Sequence, residues 1–253
     1  MLYFKKNGDG FPLIILHGLF GMGDNWATLS NQYKEHGFAC YLIDQRNHGR
    51  SFHSEEFNYT VMAEDLYKWM QHEKIDKANL IGHSMGGKTA MFFATKYETL
   101  IHKLVIADIA PRYYPPHHAS ILAALKSVTL EALTSRKEAE EQLRTSLHDE
   151  GTLQFLLKNI YRTDEKKLAW RFGLNEIENN IERIGEAMPD KKVGVPTLFI
   201  RGEKSGYITS EDELEIHKRF QHVKIETITN AGHWLHAENP NEFLQRTLQF
   251  LAD

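Results

Sequence analysis

Residues 78–91 read Ala-Asn-Leu-Ile-Gly-His-Ser-Met-Gly-Gly-Lys-Thr-Ala-Met, and this stretch decides the fold. A short apolar run leads into a turn that contains Ser84, and helix-forming residues follow, so the pattern predicts a strand, a sharp turn and a helix. Gly82 and Gly86 flank the serine because a strained turn lets strand and helix pack closely only around residues without side chains. The stretch predicts a serine that stands exposed beside the N-terminus of a helix, where negative charge is favoured. The alternative is that Ser84 has only a structural role, as a small residue that a tight turn between strand and helix accommodates.

Apolar runs that predict strands alternate with helical patterns along most of the chain. Apolar runs typical of strands covered on both faces recur, and a helical pattern at residues 60–73 separates two of them. The predicted strands are residues 2–6, 13–16, 38–43, 78–82, 103–109, 195–200 and 223–228, and a last helix is predicted at 240–251. Strands that alternate with helices indicate an α/β fold with a doubly wound, mostly parallel sheet.

The alternation stops between residues 111 and 192. Pro115 and Pro116 break the chain near the start of this segment, and only helical patterns follow until a strand signal returns near residue 195. The sequence therefore predicts a core of residues 1–110 and 193–253 with a helical insertion, 111–192, before the last two strands. That placement is typical of a lid, and a plain helical subdomain is the alternative.

Composition excludes several classes of function. The net charge is −4 and the basic residues are scattered, so the chain offers no electrostatic footprint for nucleic acid or anionic lipid. Cys40 is the single cysteine, which rules out an intramolecular disulfide, and its apolar neighbours predict a buried thiol. No apolar run is long enough to span a membrane, and the N-terminus lacks the pattern of a signal peptide, so a cytoplasmic location is expected. The oligomeric state has no signal in the sequence.

A nucleophilic serine requires a base, and the base requires a carboxylate to orient it. His233 follows the last predicted strand, which places it at the carboxyl edge of the sheet with Ser84. An oxyanion formed on attack needs preorganised donors, and we expect the backbone N–H groups of Met85 and Leu19 to supply them, with Phe20 as the second choice for the latter. His17 is expected to brace that loop rather than carry protons. His83, next to the serine, is expected to pack into the sheet.

The motifs together resemble the α/β-hydrolase superfamily over essentially the full chain, and within it the small bacterial esterases of the YbfF type. The matching phrases are His17-Gly18-Leu19-Phe20-Gly21, Asp24-Asn25-Trp26, Asp44-x-Arg46-Asn47-His48-Gly49, Gly82-His83-Ser84-Met85-Gly86, Asp108-Ile109-Ala110-Pro111 and Gly232-His233-Trp234-x-His236-Ala237-Glu238. The resemblance implies hydrolysis of acyl esters, or of acyl-CoA thioesters, without a metal or an organic cofactor.

The acid is the least direct assignment. In many α/β-hydrolases it follows the strand before the last, but Ser205 occupies that slot here, and a serine cannot stabilise an imidazolium by charge. Asp108 ends the strand after the Ser84 helix, at the carboxyl edge, and the YbfF-type resemblance places the acid at this same position. Glu203 is the rival, and Asp212 is a distant third.

The sequence thus predicts a serine carboxylic-ester hydrolase with Ser84 as nucleophile, His233 as base and Asp108 as orienting acid. Phe20 and lid side chains are expected to line the substrate pocket. A carbon–carbon bond hydrolase or a perhydrolase with the same residues, and a weakly catalytic ligand-binding module, are the alternatives. The segment from Asp44 to Ser51 is interpreted as a structural turn in which Asp44 and Arg46 tie loops together. The glycine-rich residues 18–23 lack the Lys-Ser/Thr of a P-loop, so a phosphate cradle is not expected.

Overall fold

The computed structural model describes residues 1–252, and a parallel sheet forms its centre. The strands, in chain order, are β1 (Phe4–Asn7), β2 (Phe11–Leu16), β3 (Phe38–Ile43), β4 (Ala78–His83), β5 (Ile101–Ala107), β6 (Ile160–Arg162), β7 (Leu168–Trp170), β8 (Thr197–Gly202) and β9 (Val223–Ile228). Seven of them form one sheet in the order β1-β3-β2-β4-β5-β8-β9, in which only β1 runs antiparallel to its neighbour. The predicted α/β class with a mostly parallel sheet is confirmed.

Helices cover both faces of this sheet. The helices of residues 1–252, including those of the segment 111–192, are α1 (Ala27–Glu35), α2 (Tyr59–His72), α3 (Met85–Tyr97), α4 (Ala119–Ser127), α5 (Arg136–Arg144), α6 (Glu150–Leu157), α7 (Leu174–Asn179), α8 (Ile181–Ile184), α9 (Ser210–Arg219), α10 (Leu235–Glu238) and α11 (Pro240–Ala252). No helix within residues 1–252 has the length and apolar character needed to cross a membrane.

Strand β2 explains why the apolar runs are unbroken. Leu13 and Ile15 belong to a core cluster that includes side chains of α1 and α11. Ile14 and Leu16 belong to a second cluster, which includes side chains of α2 and α3. Because successive side chains of a strand point to opposite faces, a strand covered on both sides needs an apolar residue at every position.

The segment 111–192 lies between β5 and β8 and adds no strand to the central sheet. It contains α4 to α8, but it also contains β6 and β7, which pair as an antiparallel hairpin. The expectation of helices alone was therefore wrong. The hairpin closes through a tight turn in which the Thr163 and Lys167 backbones bond at 2.8 Å and Lys166 has φ of 65°. Ile, Tyr and Trp residues favour strands. Ile160 and Trp170, however, also lie at helical spacing from apolar residues of the neighbouring helices, so the sequence pattern predicted helix there.

A buried lysine joins the two ends of this segment to the sheet domain. The Lys88 ammonium, on α3, donates to the carbonyls of Pro111 at 3.3 Å and Glu186 at 2.8 Å, and also to that of Arg112. Burial lowers the pKa of Lys88 to about 7. The segment thus begins and ends at one fixed point beside the helix that follows Ser84.

Candidate active site

Ser84 occupies the turn between β4 and α3 in a strained conformation, with φ of 52° and ψ of −117°. A side chain at Gly82 would overlap the backbone of Gly86, and one at Gly86 would overlap the backbone of Leu16. The close approach of strand and helix therefore requires both glycines, as the sequence predicted. The carbonyl of Ala107 accepts a bond of 2.9 Å from the Ser84 N–H, which ties the turn to the neighbouring strand.

Ser84, His233 and Asp108 lie in one chain of contacts at the carboxyl edge of the sheet. The Nε2 atom of His233 is 3.1 Å from the Oγ atom of Ser84, and its Nδ1 atom is 2.7 Å from Oδ2 of Asp108. Because Nδ1 faces a carboxylate, it carries the proton, which leaves Nε2 free to accept one from the serine. The arrangement can remove a proton from Ser84 and stabilise the imidazolium that results.

Asp108 follows β5 with φ of 52° and is fully buried. Besides His233, its carboxylate accepts bonds from the Gly202 N–H at 3.1 Å and from the hydroxyl of Ser205. Ser205, which stands in the slot expected for an acid, is thus a hydrogen-bond donor to the carboxylate that lies beside His233.

The two rival carboxylates are engaged elsewhere. Glu203 is exposed and accepts the Asn230 N–H, in the loop after β9, at 2.7 Å. Asp212 pairs with Arg112 at 2.8 Å and caps the start of α9. No contact between either residue and His233 occurs within the described residues.

Two residues that the sequence did not assign to the site hold His233. His83 is buried as expected, but its Nε2 also donates to the carbonyl of His233 at 2.8 Å. The Tyr207 ring stacks on the His233 ring, with centroids 3.9 Å apart and planes 16° from parallel. The Tyr207 hydroxyl donates in turn to Nε2 of His117 at 2.5 Å, so a residue of the segment 111–192 reaches the histidine through this ring. Burial raises the pKa of Tyr207 to about 12, which keeps its hydroxyl a donor.

In the loop after β2, the N–H groups of Leu19 and Phe20 differ in whether a protein acceptor already engages them. The Phe20 N–H donates to Nε2 of His48 at 3.1 Å, while His48 Nδ1 donates to the Arg46 carbonyl at 2.9 Å. Within residues 1–252, the N–H groups of Leu19 and Met85 donate to no other protein group. The geometry therefore favours Leu19 over Phe20 as an oxyanion donor, since the donor of Phe20 is already used.

Buried neutral histidines brace this loop. His17 Nδ1 donates to the Gly18 carbonyl at 2.8 Å, and its Nε2 accepts the Gln45 N–H at 3.0 Å. Burial lowers the pKa of His17 and holds that of His48 well below its ordinary value, so both rings stay neutral and can accept these bonds. The bracing role expected for His17 is confirmed. His48 was missed, because its partner lies 28 residues away in the chain.

The segment from Asp44 to Ser51 ties loops together, as interpreted from the sequence. The Asp44 carboxylate accepts the Gly23 N–H at 2.7 Å and the Arg50 N–H at 2.8 Å. Arg46 forms a bidentate ion pair with Asp65. These three contacts fix the turn that presents His48 to the loop after β2.

Two cavities meet at Ser84. The larger has a volume of about 480 Å³ and is lined by Phe20 and His233, and by side chains of α6 such as Phe155. The smaller has a volume of about 30 Å³ and is lined by Met85 and by side chains of the segment 111–192 such as Ile184. No group of three or more His, Cys, Asp or Glu side chains in the described part of the chain is placed to bind a metal ion.

The chain is similar to known α/β hydrolases in both sequence and structure. A model of the alpha/beta hydrolase fold family matches residues 12–240. A solved structure described as a marine microorganism esterase superposes with a TM-score of 0.96 at 45% identity, covering 98% of each chain.

Curated relatives point the same way. A putative esterase/lipase of Haemophilus influenzae is 38% identical, covering 94% of this chain and 82% of its own. Esterase YbfF of Escherichia coli is 34% identical, covering 98% of this chain and 96% of its own. A Danio rerio protein named sn-1-specific diacylglycerol lipase ABHD11 is 38% identical, covering 98% of this chain and 80% of its own.

Proposed function

Since the chain belongs to the α/β-hydrolase fold family and is an ester-hydrolysing enzyme of the carboxylesterase type, we propose that Ser84, His233 and Asp108 form its catalytic triad. The observation that carries the proposal is the pair of contacts made by one imidazole, 3.1 Å to the serine and 2.7 Å to the carboxylate. Both lie within the range expected for a nucleophile, a base and its orienting acid.

Acylation uses these groups in turn. Ser84 Oγ attacks the acyl carbonyl carbon while His233 Nε2 takes the hydroxyl proton, and the carbonyl oxygen becomes an oxyanion. We assign its stabilisation to the N–H groups of Leu19 and Met85, which have no protein acceptor among residues 1–252. When the tetrahedral intermediate collapses, the bond to the leaving oxygen breaks, and His233 returns its proton to that oxygen.

Deacylation repeats the sequence with water. His233 removes a proton from a water molecule, which attacks the acyl-enzyme, and the free acid leaves as Ser84 regains its proton. The Asp108 carboxylate stabilises the imidazolium in both halves, helped by the donors of Gly202 and Ser205 that hold it in place.

The substrate class that we propose is acyl esters, and acyl thioesters by the same two steps with a thiol leaving. The segment 111–192 supplies walls of both cavities at Ser84, including His117 and His118, which line each of them. This placement supports a lid that selects the substrate while the sheet domain performs the chemistry. Phe20 lies in the larger cavity and is proposed to contact the substrate there.

The test is the hydrolysis of p-nitrophenyl acetate by Ser84→Ala. The variant should lose several orders of magnitude in kcat and keep the wild-type unfolding midpoint, because the hydroxyl does chemistry and does not pack. Ser146→Ala, at an exposed serine that lines neither cavity, is the matched control and should keep the wild-type rate. A Ser84→Ala protein that retained a tenth of the rate would contradict the proposal, and a wild-type protein inert toward esters would favour a hydrolase of another bond.

A further inference from the structure

The two cavities at Ser84 differ in which of the residues assigned to catalysis line them. Both are lined by Ser84 and Leu19, so both open onto the position of the scissile carbonyl. His233 lines only the larger cavity, whereas Met85, the second oxyanion donor, lines only the smaller. The two halves of an ester are therefore not interchangeable in this site.

The position of His233 decides which half lies where. Collapse of the tetrahedral intermediate requires His233 to hand a proton to the leaving oxygen, so the leaving group must lie on the side of Nε2. That side is the larger cavity, of about 480 Å³. The acyl chain is left with the smaller cavity, of about 30 Å³.

The smaller cavity admits little. A water-sized group needs roughly 10–15 Å³ of such space, so the cavity holds about two of them. Ile109, Ile181 and Ile184 form apolar walls, and the Tyr59 hydroxyl is already bonded to the Ile184 carbonyl at 2.6 Å. Among the described residues that line it there is no Asp, Glu, Lys or Arg. A short, uncharged acyl group matches this space.

The larger cavity can accommodate a bulky leaving group. Leu156, Phe155 and Trp234 give it apolar walls, and Lys158 and Glu238 add charge to its lining. A leaving group with an apolar body can bury most of its surface here.

We propose that the natural substrates carry a short, uncharged acyl group, acetyl or propionyl, on a bulky alcohol or thiol. The inference rests on the proposed triad, since His233 defines the side of the leaving group. It assigns acyl selection to the wall formed by Ile181 and Ile184, and leaving-group selection to the wall formed by Phe155 and its neighbours.

The isomers hexyl acetate and ethyl hexanoate test this directly, because both release a primary alcohol of similar reactivity. Wild-type kcat/KM should be at least about thirty-fold higher for hexyl acetate, since one surplus methylene in a tight apolar pocket already costs roughly ten- to two-hundredfold. Equal rates, or a preference for ethyl hexanoate, would overturn the inference while leaving the triad intact. Failure of the triad shows separately, as hydrolysis that survives in Ser84→Ala.

Variants locate the selecting wall. Ile184→Ala enlarges the smaller cavity and should raise kcat/KM for ethyl hexanoate about tenfold, while its backbone carbonyl keeps the bond to Tyr59. Phe155→Ala, the matched control in the larger cavity, should lower kcat/KM for hexyl acetate and should not raise that for ethyl hexanoate. A rise for ethyl hexanoate in Phe155→Ala alone would place the acyl chain in the larger cavity. The wild-type isomer ratio decides the inference even if a variant fails to fold.

Discussion

The carboxyl edge of the sheet and the segment 111–192 build one site in different ways. At the sheet edge, Phe20, Ser84 and Asp108 all have positive φ, and hydrogen bonds between backbone N–H groups and side chains hold their loops. The segment contributes mainly apolar walls, joined to the sheet domain through Lys88 and through the contact of His117 with Tyr207.

This difference assigns the rate of the reaction to the sheet edge and the choice between esters to the segment 111–192. Positive φ costs a non-glycine residue of the order of 1–3 kcal/mol, and such strain persists only where the surrounding structure holds it. The sheet core supplies that support, because β4 and β5 are buried almost throughout. Substitutions of Ser84 or Asp108 should therefore change the rate for every ester alike, whereas substitutions in the segment should change the order of preferred esters.

The largest effect is expected at the acid. Asp108→Asn replaces the acceptor of the His233 Nδ1 proton by an amide, which favours the wrong tautomer of the imidazole. We expect kcat for p-nitrophenyl acetate to fall by about four orders of magnitude. The ratio between hexyl acetate and ethyl hexanoate should stay the same, because neither cavity is lined by this residue.

Glu203→Gln is the control for this prediction. Its carboxylate bonds the Asn230 N–H and lies away from His233, so the variant should keep a rate within a few-fold of wild type. A severe loss in Glu203→Gln together with a near wild-type Asp108→Asn would reverse the assignment of the acid.

A smaller effect is expected on the free energy of unfolding, through the buried histidines that lie near the sheet edge. Burial lowers the pKa of His17, His48 and His83, and lowers that of His236 to about 3. In the unfolded chain these rings titrate at about pH 6.5. Below that pH the unfolded chain binds protons that the folded protein does not, so the free energy of unfolding should fall from pH 6.5 to pH 5. Each such ring contributes a slope of about 1.4 kcal/mol per pH unit.

His236→Phe isolates one of these rings. The substitution keeps an aromatic ring against Trp26, on which His236 stacks with centroids 4.2 Å apart, but it cannot bind a proton. In urea unfolding between pH 7.5 and pH 5, the free energy of unfolding of the variant should fall less steeply than that of wild type. The difference in slope should approach about 1.4 kcal/mol per pH unit, the contribution of one histidine. An unchanged slope, or a wild-type stability that stays flat across this range, would contradict the neutral state of the buried histidines.

The parts of the site that could be predicted from sequence are those that strand order alone positions. Ser84, Asp108 and His233 each follow a strand of a parallel sheet, so the carboxyl ends of β4, β5 and β9 bring them to one edge. Their catalytic roles stay predictions. The α/β class followed from the same alternation, and the turn at Ser84 followed from its two glycines.

The remaining contacts depend on packing between distant parts of the chain. The stacking of Tyr207 on His233 and the bond from Phe20 to His48 join residues with no shared motif or periodicity. The β6–β7 hairpin was missed because its strands have only three residues each, too few for a period of two to stand out against the surrounding helical spacing. The cavity volumes depend on where the segment 111–192 packs, which no local pattern records.

Reaction of the wild-type protein with a fluorophosphonate, followed by peptide mass spectrometry of the adduct, tests whether Ser84 is the nucleophile. We expect one phosphonyl group per chain on Ser84, with loss of esterase activity in proportion to labelling, and no labelling of Ser84→Ala. Labelling at another serine that parallels the loss of activity, or full activity after Ser84 is labelled, would contradict this assignment.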